Sequence, residues 1–445
     1  MKEFPEKFIF GTATAATQIE GGDKNSNWYI WSKKGMIKDN ESSIIAADHY
    51  NRVKEDIAIM KTLNQESYRM SVEWSRIVPR EGIISRVGIE HYIAELELLR
   101  EENIVPLITL HHFSIPQWVE EKGGWLSNDV VYHFLDFVRR VVSEFGDLCS
   151  EYCTINEPNV YCLESYMDGK YPPGHRGNML GYIKASRNLI KAHLKSYKMI
   201  HKIRREKNFF GETRVGFAHH LAVFEPISAN PLTIYSRHAI DYIFHTIFSV
   251  GFIEGRLIFP LGNEFPEGAG IFCDFLGVNY YSRHIIRSSW NPITLFGDVH
   301  LKRAHPKEKY SDLGWQIYPE GLGEVLRSIY KEYPIPIYIT ENGIADASDS
   351  QRGEFIEKHL EVVHDLIDEG IDVERYYHWS LLDNLEWHEG YHPRFGLVHI
   401  NYKTLKRTIR KSGYYYAKII EKRKIVPWKT FNKDKIKDKI KHIGK

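Results

Sequence analysis

Two glutamates in this chain stand where apolar runs stop. Tyr152–Asn156 leads straight into Glu157-Pro158, and Ile335–Thr340 leads into Glu341-Asn342-Gly343. A carboxylate at the end of a buried run is costly to keep unless it is paired or does work. Two such groups facing one another can divide one task between them. One protonates a leaving oxygen, and the other attacks the carbon it departs from, or activates water against it; cleavage of a glycosidic bond needs this pair. Either glutamate alone reads more simply as an ion-paired strand end. Similar runs, however, close on His111-His112, on Asn279-Tyr280-Tyr281 and on Asp383-Asn384-Leu385-Glu386-Trp387. Both glutamates amid that set favour chemistry over structure.

Groups so far apart in sequence need a scaffold that gathers strand ends. Eight β-like runs are spaced along the chain: Phe8–Thr14, Ser67–Trp74, Val105–His111, Tyr152–Asn156, Arg214–His220, Phe275–Tyr281, Ile335–Thr340 and Tyr376–Leu382. Several are almost continuously apolar, as expected of parallel strands covered on both faces. Amphipathic helical patterns lie between them, clearest at Ile89–Glu101, Val130–Phe145, Ile183–Lys202 and Arg352–Glu369. Eight strands, each followed by a crossover, predict an α/β fold: one (β/α)8 TIM barrel with elaborated βα loops. The site of such a barrel lies at the C-terminal ends of its strands, where both glutamates fall. Gly343 reads as a point of free turning after the seventh strand.

A barrel with insertions accommodates all 445 residues as a single catalytic domain. The Lys-rich end from about Asn432 reads as a basic tail, frayed or helical at the surface. The 59 basic and 58 acidic residues nearly cancel, which argues against nucleic acid as a partner. No apolar run approaches ~18 residues, so no membrane span is expected, and the first residues have no apolar signal-segment core. Cys149, Cys153, Cys162 and Cys273 read as buried thiols in a reducing cytoplasm. No further Cys or His pair completes a zinc pattern around Cys149 and Cys153.

Thr154-Ile155-Asn156-Glu157-Pro158 and Ile339-Thr340-Glu341-Asn342-Gly343 resemble the two active-site signatures of family 1 glycoside hydrolases. The likeness runs along nearly the whole chain. It includes Phe8-Ile9-Phe10-Gly11-Thr12-Ala13-Thr14, Gln18-Ile19-Glu20-Gly21, Tyr68-Arg69-Met70-Ser71-Val72-Glu73-Trp74, Asp383–Trp387 and Arg394-Phe395-Gly396-Leu397. The resemblance implies a retaining β-glycosidase acting on terminal β-D-glucosyl, β-D-galactosyl or β-D-fucosyl residues. Small saccharides and aryl or alkyl β-glycosides would be its substrates, without metal or cofactor, and a homo-oligomer is compatible with it. Glu157 matches the acid/base and Glu341 the nucleophile. Arg69 and Tyr281 match the groups that bond the nucleophile, with Asn279 beside them. Asn156 matches the residue on the sugar 2-hydroxyl. Gln18, His112, Glu386 and Trp387 match the clamp on the remaining hydroxyls. Trp379 matches the platform under the ring, and Phe395 lies in the same wall.

Two departures accompany the match. The family usually has Tyr-His-Trp where this chain has His111-His112-Phe113, and the stretch from Tyr281 to Trp315 is brief. A sub-branch that takes 6-phosphorylated glycosides holds phosphate with Ser, Lys and Tyr. Here those positions are Glu386, Pro393 and Phe395, and a carboxylate repels a phosphate dianion. Two other readings compete: a metallohydrolase using His111, His112, His219 and His220, and a sugar-binding barrel without turnover. Neighbouring strand residues point to opposite faces, so each His pair offers at most one inward ligand.

Overall fold

The computed structural model describes residues 2–300 and 308–433. Eight parallel strands close into a barrel: β1 (Ile9–Ala13), β2 (Ser67–Ser71), β3 (Val105–His111), β4 (Glu151–Asn156), β5 (Arg214–His220), β6 (Phe275–Asn279), β7 (Ile337–Asn342) and β8 (Val373–Trp379). Each pairs with its neighbour in chain order, and β8 returns to β1. The expected TIM barrel is therefore present. Register levels the strand tops: Ala13 lies opposite Arg69 and Trp379, His111 opposite Ile155, and Glu341 opposite Asn279.

Helices cover the outside because one stripe of each is apolar. In the helix Val130–Phe145, residues Val130, Phe134, Phe137, Val138, Val141 and Phe145 are buried, a spacing that follows the 3.6-residue turn. Phe137 stacks on Trp74 with ring centroids 5.4 Å apart. Burying each such side chain contributes roughly 1.5–3 kcal/mol. At the far end of the barrel from the site, Arg375 of β8 pairs with Glu151 of β4 and lies over the Tyr338 ring.

Several boundaries differ from expectation. β7 runs through Glu341 to Asn342, with a register shift between Ile339 and Glu341, so the glutamate is part of the strand. β8 starts at Val373 and ends at Trp379, because the charged Glu374 and Arg375 are paired, with Arg214 and Glu151. β2 stops at Ser71, since the Glu73 carboxylate caps a short helix, Trp74–Ile77. β6 stops at Asn279. The helices around Ile89 and Ile183 are longer than read, Arg86–Glu101 and Met179–Glu206. Gly343 has no left-handed backbone. A Cβ there would sit 1.7 Å from the Trp379 carbonyl oxygen, so close approach of β8 excludes any side chain.

The short segment after Tyr281 carries Arg283–Ser288, which joins Val223–Pro226 and Gly297–His300 in a small sheet. All four cysteines are free and buried. Among the described residues no helix is long and apolar enough to cross a membrane. A last helix spans Trp428–Lys433, and the basic tail beyond it lies outside the described residues.

Candidate active site

Arg69 rises from β2 into the barrel mouth and is fully buried. Its three nitrogens are spent on three strands. Nη1 donates to Glu341 Oε1 at 2.6 Å, Nη2 to Asn156 Oδ1 at 2.6 Å, and Nε to Thr109 Oγ1 at 3.2 Å. The Tyr281 hydroxyl donates to the other oxygen of Glu341 at 2.6 Å. Trp315 and Phe395 pack edge-on around that phenol, their centroids 5.7 and 6.1 Å away. Burial pushes the Glu341 carboxyl up, to about 7, against the pull of the Arg69 guanidinium; charge on Glu157 adds to the rise, and the Tyr281 hydrogen bond opposes it.

Glu157 follows β4 in a left-handed conformation (φ 40°) that side chains rarely adopt. Such a residue costs on the order of 1–3 kcal/mol and persists where its surroundings hold it. Pro158 opens the helix Pro158–Cys162 at a position where a missing N–H costs nothing. Asn279 spans the two glutamates. Its Nδ2 donates to Glu157 Oε1 at 2.9 Å and to Asn156 Oδ1 at 3.1 Å, while its Oδ1 accepts from Thr340 Oγ1, next to Glu341, at 2.6 Å.

The rest of the wall presents buried polar atoms without protein partners. Gln18 Nε2 donates to Asn384 Oδ1 and to the Leu385 carbonyl, leaving Oε1 unpaired. His112 Nε2 accepts from Asn156 Nδ2 at 3.1 Å, which puts the ring proton on Nδ1, itself buried and unpaired. Burial, then the Arg69 charge, hold His112 neutral, well below the usual histidine range. Its ring lies nearly parallel to Trp379 and Trp387, both 5.9 Å away. Glu386 Oε2 is also buried and unpaired. Burial, with the charges of Glu341, Glu157 and Glu389, pushes that carboxyl up to about 8. Each unpaired buried group costs roughly 1–3 kcal/mol. A ligand bearing several hydroxyls would satisfy an acceptor, a donor and a carboxyl at once.

All twelve residues singled out in the sequence thus surround one mouth: Gln18, Arg69, His112, Asn156, Glu157, Asn279, Tyr281, Glu341, Trp379, Glu386, Trp387 and Phe395. The substituted His111 is accommodated below it. Its Nε2 accepts from Trp125 Nε1 at 3.1 Å, and burial pushes it down to about 3, so it is neutral. Phe113 packs on Trp387 with centroids 5.2 Å apart. His220, considered only as a metal ligand, hydrogen-bonds Glu157 Oε1 through Nδ1 at 3.0 Å. Its signal was its place, as the last residue of β5. His219 instead bonds the His245 carbonyl oxygen at 3.2 Å. Among the described residues the group able to hold a metal is His364, Asp365 and Asp368, which includes none of the four histidines of the metallohydrolase reading.

The model of glycosyl hydrolase family 1 matches residues 1–257 and 270–425. A 1,4-beta-D-glucan glucohydrolase of Thermotoga neapolitana is 33% identical over 95% of this chain and 99% of its own length. Beta-glucosidase A of Thermotoga maritima is 32% identical over 95% and 98%. Among solved structures, a beta-glycosidase from Pyrococcus horikoshii superposes with a TM-score of 0.88 at 34% identity, covering 96% of each chain. The family 1 beta-glucosidase of Thermotoga maritima, solved also in complex with deoxynojirimycin, gives 0.86 in that complex at 30% identity, covering 96% of this chain and all of its own. The chain belongs to glycosyl hydrolase family 1 and is an O-glycosyl hydrolase of the β-glucosidase type.

Proposed function

We propose that the chain hydrolyses terminal non-reducing β-D-glucosyl residues, with β-D-galactosyl and β-D-fucosyl as further substrates, and with net retention. The observation that carries this reading is the asymmetric treatment of two carboxyls at one mouth. Both oxygens of Glu341 are held by donors, a guanidinium and a phenol. Such donors favour the ionised form and aim it, as a nucleophile requires. Glu157 has one oxygen held and the other without a protein donor among the described residues, which suits a group that must pass a proton. In the first step Glu341 forms a bond to the anomeric carbon as the glycosidic C–O bond breaks. The departing oxygen keeps the bonding electrons and takes the Glu157 proton. In the second step Glu157 takes a proton from water, whose oxygen displaces Glu341.

The unpaired atoms of Gln18, His112 and Glu386 support hydroxyl recognition, and Trp379 and Trp387 supply flat apolar surface for the ring. Asn156, beside both Arg69 and His112, is suited to the 2-hydroxyl. The complex of the Thermotoga maritima enzyme with deoxynojirimycin supports small saccharides as substrates, and aryl or alkyl β-glycosides are part of the same proposal. Free buried thiols support a reducing, cytoplasmic location. We assign the chain to one catalytic domain.

Glu157→Ala tests the assignment. It should slow phenyl β-glucoside far more than dinitrophenyl β-glucoside, whose leaving group departs unaided. Added azide should restore turnover of the activated substrate and yield the β-glycosyl azide, since attack on an α-linked ester inverts it again. No rescue, or an α-azide, removes either Glu157 as acid/base or retention.

A further inference from the structure

We infer that His220 is a positioning residue for the acid/base: it anchors one oxygen of Glu157 so that the other carries the transferable proton. The inference rests on the role proposed for Glu157. Two donors converge on a single oxygen of that carboxyl. Asn279 Nδ2 reaches Oε1 at 2.9 Å, and His220 Nδ1 reaches the same atom at 3.0 Å. The Asn279 amide is fixed in orientation because its Nδ2 also donates to Asn156 Oδ1, an oxygen that accepts from Arg69 as well. We assign the ring proton of His220 to Nδ1, so that Nδ1 donates to the remaining lone pair of Oε1. Oε1 then serves as acceptor whether Glu157 is ionised or protonated. The proton must sit on Oε2, which has no protein donor among the described residues and is not among the buried unpaired atoms.

The ring itself is fixed. It stacks on Tyr281 at 6.0 Å and 17°, and it meets Phe244 edge-on at 5.9 Å and 79°. Tyr281 in turn bonds Glu341 Oε2. One imidazole therefore touches the acid/base directly and the nucleophile's donor through its face. When the proton leaves Oε2, charge builds on the Glu157 carboxylate, and a hydrogen bond to a charged group is stronger than one to a neutral group. The His220 contact thus strengthens in the step that expels the leaving group. It has little to contribute when a leaving group needs no proton.

Two variants separate donor from ring. His220→Phe keeps an aromatic face for Tyr281 and Phe244 and loses the N–H. His220→Asn places an amide N–H near Nδ1 and loses the ring. For His220→Phe, kcat/KM on phenyl β-glucoside should fall about tenfold or more, the worth of a charge-assisted hydrogen bond. The first-step rate on dinitrophenyl β-glucoside should stay within about threefold, which also reports an intact fold. His220→Asn should recover most of the phenyl glucoside rate. Equal losses on both substrates, no loss in the Phe variant, or an Asn variant as poor as the Phe variant would each overturn the inference. Glu157→Ala, run alongside, separates the two levels. If it lacks leaving-group discrimination, the acid/base assignment falls; if it shows discrimination and His220→Phe does not, only the role of His220 falls.

Discussion

Replacing Glu386 by Gln should flatten the pH dependence of stability. Glu386 is half-buried beside Trp387, with its Oε2 enclosed and unpaired and with carboxylates alone among the charged groups that perturb it. Its carboxyl is pushed from the ordinary 4.5 to about 8, first by burial and then by the charges of Glu341, Glu157 and Glu389. The unfolded chain loses this proton near the ordinary value, and the folded chain keeps it longer. Between those two values the folded state binds more protons, so raising the pH withdraws stability. Stability from this group is complete below the unfolded value and lost as pH climbs through the folded one. At about 1.4 kcal/mol per unit, wild type should lose on the order of 4 kcal/mol relative to Glu386→Gln between about pH 5 and pH 8. Glu341 and Glu20, each pushed up to about 7, tilt both proteins the same way and largely cancel in the difference. Urea midpoints of the ligand-free proteins, measured across that range, read the effect directly. Parallel curves for the two proteins would refute the reasoning and place a compensating cation or donor at Glu386.

Glu341→Gly should abolish hydrolysis yet convert an α-glycosyl fluoride into a β-linked product, because the ester with the enzyme can no longer form; product analysis checks this, and wild-type hydrolysis by the purified variant would sink the assignment. Glu386→Ala should cost proportionally more glucosidase than fucosidase activity if the carboxyl reaches the 6-hydroxyl, which fucosides lack; equal losses in kcat/KM would place it elsewhere. Gly343→Ala drives a methyl to 1.7 Å from the Trp379 carbonyl oxygen. It should destabilise by about 2–3 kcal/mol in denaturant titration, and a variant within about 0.5 kcal/mol of wild type would show that the strands can part there.

The barrel was legible in the sequence because its strands are buried on both faces. Nearly continuous apolar runs such as Val105–Leu110, broken only by Thr109, therefore announce themselves without neighbours. The site was legible for a related reason. Glu157 and Glu341 break apolar runs abruptly, and the parallel topology puts every such break at one end of the barrel. Where charge enters a strand for structural reasons, the same logic misleads. Glu374 and Arg375 made β8 look late, though Arg214 of β5 and Glu151 of β4 neutralise them from across the barrel. Three features depended on tertiary structure alone. Gly343 is small because of the Trp379 carbonyl, a contact between adjacent strands and not a local turn. Glu386 is raised by its enclosure among other acids brought from β4 and β7. His220 bonds Glu157 across the gap between β5 and β4, and its residue type alone fits a metal ligand equally well. Local pattern records how a segment meets solvent and core. It does not record which side chain faces which across a closed sheet, because that is set by register and closure.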